Sequence, residues 1–165
     1  MDATTSTIRV RQAPVPDEVR ERSTLARLDY VDTFIVDGAP VGQRTAEQWM
    51  RCVLEDAPLR VRSRLISGWT ALGLALHLGR PDTVLGWPVV RRTADLVLLG
   101  ASSRVGMPGQ LLLERTAGRL RFATLLEHRT AVTRTVWKGV EPTHVQTVCR
   151  LLEQAVEREV QAPAP

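Results

Sequence analysis

Gln110-Leu111-Leu112-Leu113-Glu114-Arg115-Thr116-Ala117-Gly118-Arg119-Leu120-Arg121-Phe122-Ala123-Thr124-Leu125-Leu126-Glu127-His128 (residues 110–128) reads as two strands joined by a tight turn. In its second half Leu120, Phe122, Thr124, Leu126 and His128 share one face, and Arg119, Arg121 and Glu127 fall on the other. That period of two marks a strand with one buried side. Ala117-Gly118 supplies the hairpin. Working outward, Asp95–Ser103 predicts a strand before this pair, with Met107-Pro108-Gly109 as the turn between them. Thr83–Val90 predicts another, and Pro88 makes it an edge strand or a bulged one because proline cannot donate to a ladder. A fifth strand is expected over Thr130–Trp137.

Helical signals flank this meander. Upstream, Leu25–Val36 alternates as a strand, with Leu28, Tyr30, Asp32 and Phe34 on one face and Val31, Thr33 and Ile35 on the other. Thr45-Ala46-Glu47-Gln48 matches a capping box that opens a short helix carrying Trp49, Met50, Val53 and Leu54. A second helix is predicted over Leu59–Leu78, with Val61, Leu65, Trp69 and Leu72 as its apolar stripe and Gly79-Arg80-Pro81 as its stop. Downstream, Pro142 suits a first helical turn. Val145, Val148, Cys149, Leu152, Ala155 and Val156 then form a stripe wide enough to cover a sheet, which predicts a long helix over Pro142–Val160.

With 165 residues, the prior is one domain. Residues 1–22 are polar and predict a flexible arm with a short strand at Thr7–Arg11; 23–160 form the domain; 161–165 read as a disordered tail. The net charge is +4, nearly all of the positive charge being arginine, since Lys138 is the only lysine. A GC-rich codon bias accounts for this better than a phosphate-binding surface does. Dispersed arginines without interleaved aromatic residues argue against nucleic acid as a partner. The most apolar stretch, Leu65–Leu78, is too short to cross a bilayer. Cys52 and Cys149 form no C-x-x-C pair and read as buried free thiols, which suits a cytoplasmic location. Three histidines without ligand spacing predict no metal site. No phosphate loop or nucleophile elbow is present, and no cofactor is expected.

The order of elements, together with Leu28-Asp29-Tyr30-Val31-Asp32-Thr33-Phe34, Gly86-Trp87, Val136-Trp137 and Glu141-Pro142-Thr143-His144, resembles the SRPBCC superfamily. That superfamily includes START lipid carriers, the major birch pollen allergen and aromatic polyketide cyclases; a group of actinobacterial proteins near it looks similar too. The resemblance covers about residues 24–158, and no single pattern defines it. It implies an α+β helix-grip fold: a curved antiparallel sheet of about six strands wrapped on a long C-terminal helix, with two short helices after the first main strand. It also implies a cavity between sheet and helix for an apolar or amphipathic molecule. No catalytic residue carries over from it.

Three residues are weak candidates for chemistry. Asp32 lies between Tyr30 and Phe34; in a partly apolar pocket its proton affinity would rise and make it a general base. A solvated or arginine-paired Asp32 is the preferred alternative. His128, on the apolar strand face, is an acid–base candidate or a core-edge residue. His144, placed in the first turn of the last helix, is expected to be neutral there. His77 reads as structural. Tyr30, Phe34, Trp87, Phe122, Thr124, Leu126 and Trp137 are the candidate ligand contacts, Trp87 and Trp137 being placed on strands.

Three functions compete. The first is a carrier or sensor for a small apolar molecule. The second is an enzyme of cyclase, dehydratase or isomerase type. The third is an interaction protein with a filled core, which an interior lacking any cavity beyond roughly 300 Å³ would favour.

Overall fold

The computed structural model describes residues 8–162. In chain order the elements are β1 (Val10–Gln12), α1 (Asp17–Glu21), β2 (Tyr30–Asp37), α2 (Ala46–Leu54), α3 (Leu59–Ala71), β3 (Thr83–Val84), β4 (Trp87–Arg92), β5 (Leu96–Ala101), β6 (Gly109–Thr116), β7 (Arg119–Leu126) and α4 (Ala131–Gln161). The strands form one open antiparallel sheet in the order β1-β2-β7-β6-β5-β4-β3. The fold is α+β and fits the helix-grip description. Residues 1–7 and 163–165, which include Thr7 of the expected first strand and most of the expected tail, lie outside the described residues.

The hairpin at the centre forms as its sequence requires. β6 and β7 pair from Gly109↔Leu126 to Thr116↔Arg119, and Gly118 takes φ +70° in the turn. β2 closes on β7 with Asp32 opposite Thr124 and Phe34 opposite Phe122. On the concave face Phe34, Val36, Leu111, Leu113, Leu120 and Phe122 pack with Trp49, Met50 and Val53 of α2 and with Val148, Leu152, Ala155 and Val156 of α4. The opposite face carries Leu98, Leu112, Ala123 and Leu125, which pack against Val19, Val15, Leu25 and Leu28. The segment expected as an arm is therefore, from Val10 on, part of the folded body. Val19 of α1 is fully buried, and β1 pairs with β2. Gln110 ties the segment down, accepting from Ser23 Oγ and Thr24 N and donating to Thr24 Oγ1.

The capping box of α2 is present in full. Thr45 Oγ1 accepts from Gln48 N at 3.2 Å, and Gln48 Oε1 accepts from Thr45 N at 2.8 Å. Pro88 lies in β4, which pairs with the two-residue edge strand β3 and bulges between Val89 and Arg91 against β5. The expected strand over Thr83–Val90 is thus two strands, separated by Leu85-Gly86.

Three expectations are corrected. α3 ends at Ala71, well short of Leu78. Gly73 at φ +78° turns the chain there, and a Cβ on it would meet Val105 Cγ2 at 2.6 Å, so the stop is set by a close approach rather than by Gly79. Thr130–Trp137 is helix, not strand. Thr130 caps α4 by accepting from Thr133 N at 3.1 Å, while Thr133 and Trp137, one turn apart, are buried. The β-branched residues of this stretch favour a strand only weakly, and burying that stripe overrides the preference. Consequently Pro142 is inside α4 rather than at its start. It leaves the Lys138 carbonyl without its helical donor.

Candidate functional site

The register of β2 on β7 brings Asp32 level with Thr124 beneath α4. The Asp32 side chain is 1% exposed. Its Oδ1 accepts from Thr124 N at 3.0 Å; its Oδ2 accepts from Tyr30 Oη at 2.8 Å and lies 3.0 Å from His144 Nε2. That nitrogen also lies 3.1 Å from Thr124 Oγ1. A carboxylate only accepts, so Nε2 carries the proton, and Nδ1 is the nitrogen without a protein partner among the described residues. Burying a carboxylate needs such donors to replace water. Here they are a backbone amide, a phenol and an imidazole. The solvated or arginine-paired Asp32 preferred from the sequence is thus overturned; its side-chain partners are Tyr30 and His144.

Aromatic rings hold the imidazole in place. Trp137 lies 5.0 Å from His144 and 5.0 Å from Tyr30, centroid to centroid, and Tyr30 lies 6.4 Å from His144. Burial and the adjacent Asp32 charge raise the Tyr30 hydroxyl pKa far above its ordinary value, so it remains a donor. His144 owes its position to the middle of α4, not to a helix N-terminus, and the expectation built on that terminus lapses.

His144 and Thr124 border a partly open cavity of about 160 Å³ between α3, α4 and the sheet. Its other walls include Trp69, Trp87, Leu111, Leu126 and Trp137. Trp69 and Trp87 meet edge to face at 5.4 Å. The indole Nε1 atoms of Trp87 and Trp137 are buried and have no hydrogen-bond partner among the described residues. Beside it, between α3 and α4, lies an outer groove of about 400 Å³; Arg64, Leu65, Thr143 and Thr147 line both spaces. The inner space alone is below the roughly 300 Å³ typical of ligand pockets, and by itself it meets the condition stated above for an interaction protein with a filled core; only together with the outer groove does the space exceed that size. The inner space is comparable with a dry engineered cavity of about 150 Å³ that takes up benzene.

Of the residues expected to contact a ligand, Trp87, Thr124, Leu126 and Trp137 line this cavity. Trp137 does so from a helix, not a strand. Tyr30 stands behind Asp32, whereas Phe34 and Phe122 lie in the packed core. His128 is apart from the dyad. It borders a separate cleft with Asp29, Tyr30, Arg134 and Trp137, and its backbone N donates to Asp29 Oδ2 at 2.7 Å. Burial lowers the His128 pKa, favouring neutral imidazole. Leu65, Trp69, Leu111 and Thr147 were not singled out as site residues from the sequence. For Thr147 a usable signal was the helical spacing 137, 140, 144, 147, which puts it on the face of Trp137 and His144.

Among the described residues no helix is long and apolar enough to cross a membrane, and no cluster of His, Cys, Asp or Glu could hold a metal ion. Compared with family models, curated proteins and solved structures, the chain matches none.

Proposed function

We propose that the protein binds a small, mostly apolar molecule in the cavity between α3, α4 and the sheet. The observation that carries this reading is an apolar space walled by Trp69, Trp87, Leu111, Leu126 and Trp137, with the His144 partner of the buried Asp32 at its border. The inner volume suits a single ring or a short chain, with anything longer reaching into the outer groove. The element order and topology support kinship with the SRPBCC superfamily, and the free thiols Cys52 and Cys149 support a reducing cytoplasm. The test is to titrate acetophenone and follow the indole N–H resonances by NMR. Shifts at Trp87 or Trp137, lost in Leu65→Trp, are expected; no shift up to millimolar ligand overturns the reading.

A second reading is favoured by one feature, the 3.0 Å contact between Asp32 Oδ2 and His144 Nε2. An imidazole so oriented, with Nδ1 unpartnered, is built to take a proton from a bound substrate and return it, as an isomerase or dehydratase requires. The sign of this role is a turnover that His144→Gln abolishes while acetophenone affinity persists.

A further inference from the structure

The inner cavity is apolar, and the adjoining groove, which shares Arg64, Leu65, Thr143 and Thr147 with it, adds charge to a mostly apolar wall. The groove runs between Val61–Leu65 of α3 and Thr143–Gln154 of α4 and carries Arg64 and Arg150, with no carboxylate among its lining residues. Neither arginine makes an ion pair among the described residues, whereas Arg44 pairs with Glu159, and Arg51 with Glu47 and Glu55, on the neighbouring helices. Arg64 lines both spaces, so it stands where an inner guest would emerge. Both walls are stretches within helices, whose amides are engaged in the helix ladder. Side chains alone therefore supply the positive charge, in the planar fork that matches a carboxylate.

Resting on the cavity reading above, we infer that the ligand is a small organic acid: an apolar body in the inner cavity and a carboxylate held by Arg64 and Arg150 in the groove between α3 and α4. The neutral body enters past Leu65, and the charged end stays at the rim, where water still reaches it. This arrangement avoids the desolvation cost of a buried anion.

The experiment compares 4-phenylbutyrate with 4-phenylbutan-1-ol by calorimetric titration at low salt. These probes share the phenyl body and differ in the charged end. Wild-type protein is expected to bind the acid about tenfold more tightly. Arg64→Gln and Arg150→Gln should each weaken the acid about threefold to fivefold and leave the alcohol unchanged, and the double variant should bind both alike. Equal affinities in the wild type, or an acid preference surviving the double variant, overturn the inference while alcohol binding, lost in Leu65→Trp, keeps the cavity reading standing. If neither probe binds the wild type, both fall together.

Discussion

Asp32 shows how one side chain can be read correctly for its face and wrongly for its company. Strand periodicity places it on the concave side, but its partner His144 lies 112 positions away in the chain and meets it only through the docking of α4. Removing the carboxylate leaves Tyr30 Oη and Thr124 N without an acceptor. Asp32→Ala should therefore lower stability by about 2 kcal/mol, and Tyr30→Phe by about 1 kcal/mol, in urea denaturation. A loss under about 0.5 kcal/mol in both would show that the pair is not a buried network. His128 gives a pH prediction. Its pKa is held below the ordinary 6.5 by burial, then by Arg134 and Arg27, with Asp29 opposing. The unfolded chain thus binds more protons, so stability falls as pH drops through 6.5 toward the folded-state value. Midpoint denaturant concentrations measured between pH 7.5 and 5 should show this decline, and His128→Gln should flatten it.

At the scale of elements, α3 is the weak member. Its apolar stripe of Val61, Leu65 and Trp69 rests against the core, yet none of its residues is fully buried. Helices held by few buried contacts open first. Amide exchange in α3 is expected to be faster than in the middle of α2 or in 145–156 of α4, and ligand should slow it. Gly68 offers a direct handle. It lies within α3 without a positive φ, and a Cβ there meets nothing within 4 Å. Gly68→Ala should stabilise the protein by up to about 1 kcal/mol in thermal or chemical denaturation. A destabilised variant would mean that the glycine is required by a motion or a contact absent from this state. α4 carries the opposite lesson. Its first two turns, expected as strand, carry the β-branched Val132, Thr135 and Val136, yet Val132 and Val136 are solvent-exposed and the Thr133–Trp137 face is what docks.

At the scale of the whole molecule, the sheet is covered on both faces, by α2 and α4 on one side and by the N-terminal segment on the other. Val19→Ala should cost about 2 kcal/mol, and deleting residues 1–22 should expose Leu98, Leu112 and Leu125 and promote aggregation, read by light scattering. Unchanged behaviour would return that segment to the status of a loose arm. The meander without its expected fifth strand, the 119–126 strand face, the α2 cap and the stripe of 145–156 were legible in the sequence, because periodicity and capping are local and each repeats its signal over several residues; His128, expected on that face, lies past the end of β7. The N-terminal cover, the start of α4 and the Asp32–His144 pair were not. Each depends on which distant surface a segment finds, and burial against that surface outweighs propensities worth fractions of a kcal/mol per residue. The sequence by itself determined an antiparallel sheet gripping a terminal helix; only tertiary packing decided that the helix begins early enough to bring Trp137 and His144 over Asp32, since a contact between residues far apart in the chain exists only once the layers have closed.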